Sequence, residues 1–219
     1  MDKLVRKIEV PIARNIIKKS GLYLVEEKDL DALAEIAKDA YIDYPLHNYF
    51  TKGKYNPKVS KLIMKISLKT MFKDAVIYAD SEEMNGFAVF LPFGFTGSKT
   101  LPFILNGGLK LIFLAGPGII VRLLKYEIFA MKLKRKYTNN FDWYLYNLSV
   151  KKDAQGKGIA SKLLKPMLKF CDDEKMVCYL ETNNEPNVRL YNHFDFTLKE
   201  EVIIPKTEVH HYSMARNPK

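Results

Sequence analysis

Six residues, Gln155-Gly156-Lys157-Gly158-Ile159-Ala160, stand between an apolar run at 143–150 and an amphipathic repeat at 159–170. A strand that turns through small residues into a helix leaves the first helical N–H groups without partners, all aimed at one spot. The positive end of the helix dipole adds to them, so that spot favours a phosphate. Gly156 and Gly158 permit close backbone approach, because they carry no Cβ to collide with phosphate oxygens. Six positive and one negative side chain between residues 151 and 169 reinforce the sign. On its own a Gly-x-Gly turn is also an ordinary strand–helix connection.

The pattern Q-x-x-G-x-A, at Gln155, Gly158 and Ala160 after Leu148-Ser149-Val150, resembles the acyl-CoA-binding signature of the GNAT N-acyltransferase superfamily. About thirty residues later the resemblance continues in Tyr179-Leu180-Glu181-Thr182-Asn183-Asn184, then Asn187, Tyr191 and Phe196. It covers residues 143–214, roughly a third of the chain. It implies an α/β fold with a mixed, partly splayed central sheet flanked by helices. It also implies acetyl-CoA or a similar acyl-CoA as donor, and direct transfer to a primary amine. In the resembled family, the backbone around Leu148 and Val150 contacts the thioester and pantetheine. The loop Gln155, Gly156, Lys157, Gly158, Ile159, Ala160 and Ser161 holds the pyrophosphate, and Asn184 and Asn187 line the coenzyme. Tyr191 matches the position of the general acid, seven residues after Asn184. Its other reading is a core tyrosine between Leu190 and Phe194.

Two departures from the family pattern matter. Eleven residues before the signature glutamine, where many members carry a glutamate, this chain has Tyr144, a poor base near neutral pH. Glu181 is the substitute candidate for the base. Asp142 and His47 are weaker ones, and a water chain would need no single base. The second departure is Asp195 in place of the glycine before the phenylalanine; aspartate tolerates left-handed backbone well enough to keep that turn.

At 219 residues the chain suits one domain with a sizeable core, preceded by a basic helical extension at 1–20. That extension has apolar residues every four positions (Leu4, Ile8, Ile12, Ile16) and an expected interruption near Pro11. It has neither the apolar run nor the cleavage site of a signal peptide. The net charge of +10 is carried by residues 1–20, 121–140 and 151–169, at +4, +5 and +5. The third block suits the anionic coenzyme. Nucleic acid is not the expected partner, because no helix-turn-helix, zinc or stacking pattern accompanies the lysines. Cys171 and Cys178 make neither a disulfide framework nor a zinc site, no metal-ligand spacing occurs, and no Cys or Ser stands in a nucleophile setting. The most apolar stretch, 101–121, is broken by Lys110, and its longest uncharged run, 111–121, is too short to span a bilayer, so a soluble, cytoplasmic protein without stable membrane insertion is expected.

Along the chain, strands are expected at 23–26, 75–79 and 87–91, helices at 29–41 and 57–72, and a break at Tyr44-Pro45. An insertion of about fifty residues, 92–142, follows. It should open on a turn-rich stretch at 92–98 and hold two helices parted by Gly116-Pro117-Gly118. Strands at 143–150 and 176–182 flank the phosphate-facing helix, which should kink at Pro166. A short helix capped by Asn184 and an antiparallel pair at 196–203 and 208–214 close the chain. The apolar, aromatic insertion favours a small-molecule amine as acceptor. The alternatives are a protein amino group, or a non-catalytic acyl-CoA-binding module.

Overall fold

The computed structural model describes residues 2–92, 100–139 and 142–219, with side chains from residue 9 onward apart from residue 100. Of the turn expected at 92–98, Pro92 is the last residue of a strand and pairs with Trp143, and residues 93–98 lie outside the described residues. Helix α1 (Asp2–Lys19) and strand β1 (Tyr23–Leu24) come first, then three helices in succession, α2 (Leu30–Ala40), α3 (Pro45–Phe50) and α4 (Pro57–Met71), and then strands β2 (Val76–Ala79) and β3 (Gly86–Pro92). The insertion contributes α5 (Thr100–Phe103), α6 (Leu109–Ala115) and α7 (Gly118–Tyr137). The remaining elements are β4 (Trp143–Val150), α8 (Ile159–Asp173), β5 (Cys178–Thr182), α9 (Glu185–Asn192), β6 (Thr197–Ile203) and β7 (His210–Arg216). Seven strands form one open mixed sheet in the order β1-β2-β3-β4-β5-β7-β6, antiparallel except for the β4–β5 pair.

Alternation along the strands sends side chains to two faces, and each face has its own core. Tyr78, Phe90, Trp143, Leu145 and Leu180 meet α1 and α8 on one face. Ile77, Val89, Tyr144 and Tyr179 meet α2 and α4 on the other. A third apolar cluster joins α3 and α4 to the insertion through Phe50, Ile63, Ile66, Leu111 and Ile119. The insertion is therefore a packed helical layer, consistent with the improbability of a long structureless loop in a compact domain.

Helix α1 departs from expectation twice. It runs through Pro11 without interruption, and its buried residues are Val10, Ala13 and Ile17, whereas Ile12 is exposed. Pro11 faces solvent, so the chain forfeits one helical bond while packing and the Arg14 guanidinium hold the rest in place. Arg14 donates to the carbonyls of Phe72 at 2.9 Å and Ala75 at 2.7 Å. The break at Tyr44-Pro45 is the start of α3, with Pro45 in the first turn where its missing N–H costs nothing. Helix α8 is continuous from Ile159 to Asp173 across Pro166.

Candidate functional site

The glycine-rich turn is built as its residues require. Gly156 and Gly158 sit at φ +76° and +79°, a left-handed region that side chains disfavour, and a methyl group on either would meet no heavy atom within 4 Å. The space above the turn is open. Lys162 makes the first bond of α8, to the Gly158 carbonyl at 3.0 Å, so the N–H groups of Ile159, Ala160 and Ser161 precede any helical acceptor. Gly86 on β3 seats this helix end on the sheet, since a Cβ there would come within 2.8 Å of Ile159 Cγ2. Lys152 and Lys157 stand exposed beside the turn. Not all the basic block is available to an anion: Lys162 Nζ donates to the Asp80 carbonyl at 2.7 Å, and Gln155 Nε2 to the Val150 carbonyl at 3.3 Å.

Strands β4 and β5 pair only at Trp143–Cys178, Tyr144–Tyr179 and Leu145–Leu180, although β4 continues for five more residues. Beyond Leu145 the sheet is split. A register shift places Val89 opposite Asn147 but Phe90 opposite Leu145, leaving Tyr146 as an extra residue in β4. A bulge of this kind reverses which backbone groups face which neighbour. Before it, the Trp143 N–H donates to Val177 on the β5 side; after it, the Lys151 N–H donates to Asn85 on the β3 side. Alternation back from Lys151 turns the N–H groups of Leu148 and Val150 toward the split. The same reversal explains why Leu145 and Leu148 pack on one face.

Around the mouth of the split gathers a set of hydroxyls. The Tyr44 and Thr182 hydroxyls are 3.1 Å apart, and the Asn183 N–H donates to Tyr44 Oη at 2.8 Å. Asn187 Nδ2 and the Asn184 N–H donate to Thr182 Oγ1 at 3.2 and 3.3 Å. Asn184 occupies the cap position of α9, but its side chain makes no capping bond, contrary to expectation; Thr182 gathers the neighbouring donors instead. Asn147, on the free part of β4, donates to the Tyr41 hydroxyl. Tyr191 is buried beside Phe196, ring centroids 5.9 Å apart, and its hydroxyl has no hydrogen-bond partner among the described residues. Burial, then Tyr44 and Cys178, push its pKa well up, which keeps the phenol protonated. Asp195 adopts φ +65°, the left-handed turn expected of it.

Glu181 is not set up as a base. Tyr144 donates its hydroxyl to Glu181 Oε1 at 2.7 Å, Lys134 Nζ lies 3.5 Å from the same oxygen, and His211 Nε2 lies 3.3 Å from Oε2. Burial alone would raise this carboxyl, but Lys134, His211 and Tyr144 together bring it to about 2. A carboxylate held that low takes up a proton poorly at pH 7. The His211 contact is close but not aligned for a hydrogen bond, leaving both ring nitrogens and Glu181 Oε2 without one. The rings of Phe129 and Tyr126 flank His211 at 5.3 and 6.0 Å, and Lys134 lies 3.6 Å from the centre of the Tyr144 ring. The insertion thus forms one wall of this cluster. Lys134, His211, Tyr41, Tyr44 and Asn147 escaped the sequence reading because each meets its partner only through the fold.

Asp142 and His47 have structural roles in this geometry. Asp142 accepts the N–H groups of Asn139 at 2.7 Å and Val177 at 3.0 Å, at the closed end of the β4–β5 pair. His47 stacks on Tyr41, pairs with Ser60 Oγ at 2.9 Å, and is driven by burial to a pKa of about 4. Its folded pKa lies below the unfolded value of 6.5, so the unfolded chain binds more protons between these limits. That contribution to stability is present above pH 6.5 and is lost as pH falls toward 4, by about 3 kcal/mol over the window. Melting temperature should fall across that range, and His47→Phe should flatten the slope. An unchanged slope in the variant would remove His47 as its source.

Residues 115–196 match the sequence model of the Acetyltransferase (GNAT) family. An uncharacterized N-acetyltransferase of Schizosaccharomyces pombe is 32% identical over 71 residues, which is 32% of this chain and 29% of that protein's length. Two solved structures share the fold. Histone acetyltransferase HPA2 and related acetyltransferase of Corynebacterium glutamicum superposes with TM-score 0.59 at 15% identity, covering 90% of this chain and 96% of the other. Arylalkylamine N-acetyltransferase 2 of Aedes aegypti gives 0.57 at 17% identity, covering 90% and 98%.

Proposed function

For a chain that carries a GNAT acetyltransferase domain, we propose an N-acyltransferase that moves an acyl group from acyl-CoA, acetyl-CoA foremost, directly to a primary amine on a small molecule. The observation that carries this reading is the coincidence of two features on β4. The strand parts from β5 after Leu145 and ends five residues later at Val150, and the turn at 155–158 beyond it leads into a helix whose first N–H groups have no helical acceptor. In this reading the 155–161 turn, with Lys157, holds the pyrophosphate. Pantetheine lies in the split, pairing with the Leu148 and Val150 amides as an added strand would. Asn184 and Asn187 border its far side.

A bound acyl-CoA would supply an activated carbonyl and a thiol leaving group. The N–H groups facing the split polarise that carbonyl where negative charge develops. Tyr191, protonated and without an internal partner, donates a hydrogen bond to the departing sulfur. An alkylamine acceptor near pKa 10.4 must shed a proton at a cost of about 4–5 kcal/mol at pH 7. Glu181 is too well paired to take that proton, so it leaves through water along the hydroxyls of Tyr41, Tyr44 and Thr182. Glu181 instead stays charged and shapes the acceptor side, where Tyr126, Phe129 and Tyr144 offer aromatic surface. That surface supports an apolar or aromatic amine as acceptor.

The turn is tested through Gly158. Valine at φ +79° is strained, and its methyl groups would enter the open space over the helix end. Gly158→Val should weaken acetyl-CoA binding at least about tenfold, the scale of losing one charge-assisted hydrogen bond. Titration calorimetry alongside a melting curve measures this. A folded variant that binds acetyl-CoA like the parent would contradict the assignment.

A further inference from the structure

Nine of the fourteen large apolar side chains that stand exposed among the described residues belong to the insertion. Leu101, Leu105, Leu109 and Phe113 recur every four residues, and Phe113 is 91% exposed. On α7, Leu124 and Ile128 are exposed as well. The inward sides of the same helices are committed to the core through Leu111, Ile119 and Leu133. The outward residues are therefore surplus to folding. An apolar area of this kind on a monomer marks a surface that something covers.

The charge around it decides what. Residues 100–139 hold seven lysines and arginines against a single acid, Glu127. Lys110, Lys125 and Lys132 are exposed among the leucines and form no ion pair with any described residue. A second copy docking face to face would press two basic faces together, which like-charge repulsion opposes. An anionic lipid surface meets both features at once: short helices present apolar side chains to the acyl boundary while lysines remain at headgroup level. No helix among the described residues is long and apolar enough to cross a membrane, so the contact is with the surface.

We propose that the outer face of the insertion docks on anionic membranes. The experiment is co-sedimentation of the whole chain with phosphatidylcholine vesicles, with and without about 30% phosphatidylglycerol, at low salt. Binding should require the anionic lipid and should be released near 1 M salt, where the screening length falls to about 3 Å. Lys110→Gln with Lys125→Gln should weaken partitioning roughly 25-fold, about fivefold for each lysine. Leu105→Glu with Phe113→Glu should weaken it at least about tenfold, and melting should be unchanged because both side chains are exposed. Failure to bind anionic vesicles at low salt would overturn the proposal, as would binding that neither variant alters. A concentration-dependent dimer abolished by Phe113→Glu would also overturn it, because a second copy would then be the occupant.

Discussion

Tyr191→Phe is expected to slow acyl transfer at least tenfold while leaving acetyl-CoA affinity and melting temperature nearly unchanged. The ring packs against Phe196 and survives the substitution; only a hydroxyl without an internal partner is removed. Loss of a proton donor to a leaving group is typically worth about 10²–10⁴-fold. Burial raises the Tyr191 pKa and so weakens it as an acid, which places the expected effect at the lower end. A slow non-chemical step would shrink the observed ratio further. Steady-state kinetics with a binding titration separates the outcomes. Lower stability with an unchanged rate would make Tyr191 a core residue, and lower coenzyme affinity alone would make it a positioning one.

Glu181→Gln should cost about 3 kcal/mol of stability, the low end of the range for breaking a buried ion pair from one side. The reason is Lys134, whose side chain is 5% exposed and would lose the only carboxylate within 4 Å of it among the described residues. The Tyr144 ring beneath the ammonium returns part of the loss. Adding Lys134→Met to Glu181→Gln should recover much of it, because an apolar side chain leaves no charge to strand. Denaturant unfolding of the two single variants and the double variant measures this coupling. Additive losses would contradict the ion pair. The Glu181 pKa of about 2 lies below its unfolded value of 4.5, so the pair's contribution is full above pH 4.5 and fades as pH falls toward 2.

These two residues also show what the sequence could and could not disclose. Strand β4, the turn at Gln155–Ala160 and the helix after it depend on local pattern: period-two burial, glycines at a turn, then helical spacing. They were legible for that reason, as was the parting of the insertion helices at Gly116-Pro117-Gly118. The role of Glu181 was not, because its partners Lys134 and His211 come from α7 and β7 and no local spacing relates them. Nor was the bulge at Tyr146, which exists only as a mismatch of register with β3. Helix α3 is six residues long, too short for its period to emerge from Tyr44-Pro45. In α1 the stripe at Ile12 and Ile16 was apparent, but the helix buries the smaller Ala13 between Val10 and Ile17.

The central claim, that the split between β4 and β5 performs amine-dependent acyl transfer, is tested most directly by thiol release from acetyl-CoA across a panel of primary amines. The account predicts release that depends on an amine, is strongest for apolar or aromatic ones, and falls sharply in Tyr191→Phe. Release that no amine increases above hydrolysis, from a protein that binds acetyl-CoA, would contradict it and leave a binding module without transfer.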